Sequence, residues 1–302
     1  MTGAWANARG RAVVVASVLG ALVAILLGAG TAAAQEAKGP NAGRISLTAG
    51  ADGTSDYYFR GIVQESQADF ILQPYGELTF KLLENAGPLT GMGLTFGTWN
   101  SLHWGPTGLD GPNESPKIWY ESDLYTRLSL ALFEDLTASA IYTAYLSPNG
   151  FFDTVQELAF GLAWNDAKIL GPFALNPSVL LAFELDGQAD AGSSRGTYLQ
   201  FGLAPGVTLF EKAAYPLTLS FPMTAGLSLD DYYEFRTGDD DTFGFWSGGV
   251  AASVPLAFIP ASFGAWQFKT SVVTLVLGDN LRRINGRDDV EFIGTAGIAF
   301  TY

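Results

Sequence analysis

The residues able to do chemistry are few. His103 is the only histidine, and Ser101 precedes it by two positions. A Ser–His pair carries nucleophilic catalysis when a third group orients the imidazole. His103 lies in a Gly/Pro-rich stretch, residues 101–115, where no orienting group is marked, so the expectation is a solvated loop histidine, no catalytic residue and no enzyme. The absence of cysteine excludes thiol catalysis, disulfides and a lipoprotein anchor. Asp230, Asp231, Glu234 and Asp239 to Asp241 form an acidic cluster. Oxygen-rich clusters can hold Ca²⁺, but this spacing follows no defined calcium loop and reads as a solvated loop. No P-loop, dinucleotide fingerprint or His/Cys metal spacing occurs, so neither a cofactor nor a metal is expected. What remains is a scattered polar set: Asp52, Asp56, Tyr58, Arg60, Glu77, Lys81, Glu121, Asp123 and Arg127. Its meaning depends on the elements that gather it.

Those elements are strands. From Arg44 to Tyr302 the chain shows no linker and no shift of composition, but a recurring alternation of period two, as a pleated strand demands. Phe70, Leu72, Leu78, Phe80 and Leu82 alternate with Gln73, Tyr75, Glu77, Thr79 and Lys81. Twelve such segments are expected, at about 44–60, 68–83, 90–101, 116–131, 135–147, 153–165, 174–187, 195–210, 215–229, 242–258, 264–278 and 288–302, each boundary good to about 2–4 residues. An even number returns the C-terminus to the side of the N-terminus, and short connections mostly alternate with long ones, as in bacterial outer-membrane barrels. Several Trp near segment ends suit the headgroup level.

Composition agrees. Charged residues are 15% and aromatics 13%, with 36 Gly, against about 25% charged in ordinary soluble domains. In hydrocarbon an unpaired backbone group costs several kcal/mol, so a spanning sheet must close on itself. The fold class expected is therefore all-β: a closed antiparallel transmembrane β-barrel of about twelve strands behind a cleavable signal peptide. Residues 1–34 read as that leader, with Arg9 and Arg11 ahead of an apolar run and Ala32-Ala33-Ala34 before Gln35. Residues 35–43 read as a short periplasmic tether and 44–302 as the barrel. Phe292, Gly294, Ala296, Ile298, Phe300 and Tyr302 share one face of the last segment. This aromatic ending, with Phe300 and Tyr302 as the assembly signal, resembles the terminal strand read by the barrel-insertion machinery.

Ser55-Asp56-Tyr57-Tyr58-Phe59-Arg60-Gly61-Ile62-Val63-Gln64 closes the first expected strand. It resembles the S-D-Y-x-F-R-G-x-x-Q signature of a family of proteobacterial outer-membrane proteins of unknown function, labelled Gcw_chp. Glu121-Ser122-Asp123-Leu124-Tyr125 is similar to a second, weaker element of that family. The resemblance implies a small barrel, a channel or a permeability-related protein. Strand parity gives a reading of its own. With Ile45 and Leu47 toward lipid, Asp52, Asp56, Tyr58 and Arg60 face the lumen, as do Glu77, Lys81, Glu121, Asp123, Arg127, Glu157, Glu184, Lys269 and Glu291. Arg60 then pairs with Glu121 or Asp123, either bracing the barrel or forming a charged constriction. Acids outnumber bases in this set, so a leak would favour cations.

The formal net charge of −14 opposes nucleic-acid binding. Expected partners are outer-membrane lipid and lipopolysaccharide, the insertion machinery and small solutes, in the outer membrane of a Gram-negative bacterium. Two functions stay open: a narrow passive, porin-like channel for transport of small solutes, and a structural or interaction barrel with a filled lumen and partner-binding outer loops.

Overall fold

The computed structural model describes residues 43–105, 117–190, 192–235, 238–286 and 289–302; the leader, most of the tether and much of the segment after His103 lie outside them. The strands are β1 (Ile45–Thr54), β2 (Tyr57–Phe59), β3 (Ile62–Glu65), β4 (Phe70–Ala86), β5 (Leu89–Trp104), β6 (Trp119–Leu132), β7 (Leu136–Leu146), β8 (Val155–Trp164), β9 (Ser178–Asp186), β10 (Thr197–Leu203), β11 (Gly206–Leu209), β12 (Leu217–Ser220), β13 (Met223–Asp230), β14 (Phe243–Pro255), β15 (Ala265–Leu277) and β16 (Val290–Thr301).

All but β2 and β3 form one antiparallel sheet, which closes where β1 pairs with β16 and β14 with both β13 and β15. The seam is sealed at its end by reciprocal 2.8 Å hydrogen bonds between the backbones of Leu47 and Tyr302. β10 and β11 are one strand, and β12 and β13 another, so the barrel has twelve strands, as the alternation predicts. Each of these two is interrupted, against the continuous spans expected, because Pro205 and Pro222 have no N–H to give the ladder. Phe221 N–H reaches Pro205 O across the gap, at 2.8 Å.

The outer face carries the alternate apolar residues. Phe96, Leu124, Phe160, Phe201, Val250 and Ile298 lie between 45% and 52% exposed on different strands, a belt suited to hydrocarbon and not to water. Trp99 departs from the headgroup placement: it turns inward and meets the Tyr57 ring at 5.2 Å. The described residues begin and end at one end of the barrel, which we call the terminus end. The turns there are short or tightly folded, and four of them present Phe to the surroundings: Phe133, Phe173, Phe210, and Phe258 with Phe263. Phe133 and Phe210 hold positive φ, 52° and 56°, where a side-chain-bearing residue is strained by roughly 1–2 kcal/mol. Contact with the membrane interface gives such rings somewhere to go. A Trp in place of Phe210 should fluoresce as a lipid-contacting indole, quenched by brominated acyl chains more strongly than by aqueous acrylamide; the reverse order would place this rim in water.

Candidate functional site

The opposite end, which we call the loop end, is filled. β1 stops at Thr54, and residues 55–69 turn into the barrel instead of continuing the wall. The signature-like segment is therefore an inward hairpin, not the end of the first strand. Tyr57 pairs with Glu65 and Phe59 with Ile62, leaving Arg60 and Gly61 as a two-residue turn. Both hold positive φ, 47° and 85°, the backbone of a tight hairpin turn that favours Gly. A Cβ on Gly61 would stand 2.6 Å from Leu281 Cδ1.

Why this segment folds in is visible in what it buries. Ile62 joins a cluster of Tyr198, Tyr232, Tyr233, Phe245, Leu275, Leu277 and Leu281, with Tyr58 packed on its margin. Tyr57 joins Ile71 and Tyr120 on the other side. Asp56 and Glu65 are buried beside them. The polar ends of the hairpin are then met by side chains. Asn285 accepts from Val63 N–H at 2.9 Å and donates to Gly61 O at 2.7 Å. The Tyr120 hydroxyl donates to Gln64 Oε1 at 2.6 Å. Glu65 Oε1 accepts from the backbone of Gln67 and Ala68 at 2.6 and 3.0 Å.

Arg60 sits at the centre. Nη1 and Nη2 donate to the two oxygens of Glu157 at 2.5 and 2.8 Å, a bidentate pair, and Nη1 also donates to the Tyr232 hydroxyl at 2.7 Å. The guanidinium lies 4.2 Å from the Tyr198 ring centroid, an electrostatic attraction to the ring face. The expected partners, Glu121 and Asp123, are not the ones used. The turn carries Arg60 across the lumen past β6 to β8, where Glu157 stands. Glu121 and Asp123 are buried on β6 and face Tyr57 of the hairpin instead.

His103 is also not a loop residue. It lies on β5, is 3% exposed, and meets Ser101 Oγ with Nε2 at 2.8 Å. Its Nδ1 stands 3.7 Å from Glu65 Oε2, and Tyr120 stacks on its ring at 4.7 Å. The order Ser–His–Glu is that of a nucleophile, base and orienter, but Ser101 is fully buried. His103 thus packs beside the end of the hairpin's outgoing strand, beyond hydrogen-bond distance of Glu65.

In the acidic segment after β13, Asp230, Asp239 and Asp240 are exposed, as expected of a solvated loop, but Glu234 is not. Glu234 is buried and accepts from the N–H groups of Ser193 and Ser194, both at 2.9 Å. Asp190 accepts in return from Glu234 N–H at 2.6 Å and from Gly192 N–H at 2.9 Å. These carboxylates clasp Asp190, Ser193 and Ser194 to Glu234. Burial pushes the Asp190 carboxyl up to about 6, partly offset by these backbone donors. The Ser193 and Ser194 N–H groups hold Glu234 below the ordinary glutamate range. Asp190 therefore supports the clasp fully at low pH and loses that support as pH rises through about 6; Glu234 supports it above the ordinary range and loses it on acidification. Amide exchange at Ser193 and Ser194, corrected for intrinsic rates, should be slowest near pH ~4, where the falling support from Asp190 meets the rising support from Glu234. Asp190→Asn should flatten the alkaline side; an unchanged profile in that variant would contradict the assignment.

Toward the terminus end the remaining predicted residues line an open wall. Asp52 pairs with Lys269 at 2.8 Å. Glu77 takes Arg127 Nη2 at 3.0 Å and the Tyr125 hydroxyl at 2.7 Å. Lys81 pairs with Glu84 at 2.8 Å near the rim. Charges here are matched across the wall, while the excess of acids, among them Glu121, Asp123, Glu157 and Glu184, lies at the hairpin level. The residues that sequence reasoning missed are Tyr198, Tyr232, Tyr233 and Asn285, all meeting the hairpin from the barrel wall or from loops. Phe300 stacks on Trp266 at 4.9 Å, and Tyr302 is exposed at the seam.

No family model matches the chain, and no curated protein matches it by sequence. Solved structures resemble it in fold at low identity. The NanC porin is 14% identical, over 85% of this chain and 98% of that one, with a TM-score of 0.39. An outer membrane channel from Pseudomonas putida F1 is 13% identical, over 85% and 94%, with a TM-score of 0.44. Outer membrane phospholipase A from Escherichia coli is 12% identical, over 85% and 92%, with a TM-score of 0.40.

Proposed function

We propose that the chain is an outer-membrane barrel of a Gram-negative bacterium, exported through its N-terminal leader, that works as a narrow channel for small solutes and is closed at its loop end by the 55–69 hairpin. The apolar belt supports the membrane setting. One observation carries the channel reading: β2 and β3 pair only with each other, so side chains and not the barrel ladder hold the hairpin in place. It can leave without breaking a wall strand. Beneath it the lumen retains polar space, a cavity of about 420 Å³ along Ser46, Thr79, Lys81 and Glu84 and another of about 270 Å³ along Asp52 and Lys269. Phe300 and Tyr302 serve as the assembly signal, and the terminus end faces the periplasm.

A second reading is a structural barrel whose hairpin is a permanent core; the complete burial of Tyr198, Tyr233 and Leu281 favours it. Ion flux into vesicles decides between them. A chain with residues 56–68 replaced by a short Gly/Ser link should admit ions at a rate many times that of the intact chain. An equally tight deleted barrel would leave the structural reading.

A further inference from the structure

We propose that the lumen wall made by β1, β12, β14, β15 and β16 binds small, neutral, polyhydroxylated solutes of single-sugar size. As a statement of substrate class it rests on the channel reading; as a binding site it can be tested without it.

The strand registers place two neighbouring rows of inward side chains on this wall. One row runs Asp52, Gly297, Lys269, Ser253, Thr218 from β1 to β12. The next runs Thr295, Ser271, Ala251, Ser220. Together they face the cavity of about 270 Å³. Adjacent strands stand about 4.8 Å apart and alternate residues about 6.8 Å along a strand. The hydroxyls therefore form a grid wide enough to meet several groups of one ring-sized solute at once.

The chemistry of the grid selects the class. The only charges are Asp52 and Lys269, and they neutralise one another at 2.8 Å. Gly297 stands between them in the row, and a Cβ there would run into Asp52 Oδ1, so the absence of a side chain lets the pair lie flat along the wall. An ion entering this sector meets no unmatched charge to replace its hydration shell. An apolar solute meets hydroxyls and two alanines, with no large apolar side chain to bury against. Some hydroxyls elsewhere are engaged inside the protein: Thr79 with Thr95 at 2.8 Å, Ser101 with His103 at 2.8 Å, Ser228 with Asp240 at 3.1 Å. Among the described residues, the hydroxyls of Ser220, Ser253 and Ser271 make no hydrogen bond within the protein. Each can donate one hydrogen bond and accept two. A polyol is the solute whose own groups both donate and accept at matching density, so it replaces the water on all three serines at once.

The test is saturation-transfer NMR on the full chain in deuterated micelles, with D-glucose as probe and glycine betaine, which has no hydroxyl, as control. The expected result is transfer to glucose and none to betaine, with the glucose signal reduced about tenfold in S220A/S253A/S271A. If the triple variant does not fold, as judged by loss of its heat-modifiable gel shift, Ser253→Ala alone should reduce the signal about threefold. Equal transfer to betaine, no transfer to glucose, or an unchanged signal in the variants overturns the inference. Ion flux through the hairpin-deleted chain without glucose binding would remove the solute class and leave the channel. Glucose binding with no flux in any variant would remove the channel and leave the site.

Discussion

Arg60→Ala is expected to unseat the hairpin and raise ionic conductance by about two orders of magnitude. Three interactions vanish together: the bidentate pair with Glu157, the hydrogen bond to Tyr232 and the contact over Tyr198. The larger effect is what remains. The Glu157 side chain is 4% exposed, and a buried carboxylate without its counterion typically destabilises by about 3–5 kcal/mol, less where water enters. Departure of the hairpin exposes Glu157 fully to water. Relief of the orphaned charge and opening of the loop end are therefore one event. At about 1.4 kcal/mol per tenfold, even 3 kcal/mol shifts the closed–open balance by roughly a hundredfold. The wall ladder is untouched, so the variant should keep its heat-modifiable gel migration. Arg60→Lys should fall between, because an ammonium keeps the charge and loses the fork. A variant that insulates as well as the parent would show that Arg60 does not hold the closure.

The second large effect belongs to Tyr232. Its ring is 1% exposed and packs against Tyr198 at 4.9 Å and Tyr233 at 5.2 Å. Its N–H donates to Ser228 Oγ at 2.9 Å, which fixes the start of the loop that covers the hairpin. Tyr232→Ala should destabilise the loop-end assembly by about 3–5 kcal/mol through the cavity alone. Tyr232→Phe isolates the hydroxyl: a hydrogen bond to a charged group is worth about 1.5–3 kcal/mol. Both changes should speed amide exchange on residues 57–65 while exchange on β5 to β8 stays slow. Uniform loss of protection across the barrel would mean that plug and wall are one cooperative unit, as the structural reading requires.

The two halves of the fold were unequally legible in the sequence. A strand that faces lipid must be apolar at every second outward position, so Phe70 to Leu82 or Leu158 to Trp164 announce themselves without any knowledge of neighbours. Twelve strands and their positions follow. The hairpin obeys the same alternation, Tyr57-Tyr58-Phe59 and Ile62-Val63-Gln64, but its apolar side meets tyrosines inside the barrel rather than lipid. Period two cannot distinguish those environments. The available signals were the Ser55-Asp56 and Arg60-Gly61 pairs, both turn chemistry within a supposed strand. Pro205 and Pro222 were similar flags for interrupted ladders. Parity correctly joined Glu157 to the inward set, but pairing it with Arg60 requires knowing that the chain folds back across the lumen. Likewise Tyr232 and Tyr233 lie in an acidic stretch whose composition suggests solvent, and only the clasp with residues 190–194 places them inside.

The central claim is that the hairpin closes the loop end. The chain has no cysteine, so a reversible lock can be built. A Cβ on Gly61 would lie 3.3 Å from that of Phe245, near the separation of about 3.5–4.5 Å that a disulfide needs. The measurement is single-channel current through R60A/G61C/F245C in one planar bilayer, first oxidised and then reduced. The account predicts a closed barrel when the hairpin is linked to β14 and a current that appears on reduction and disappears on reoxidation. A current that is the same in both states would contradict it.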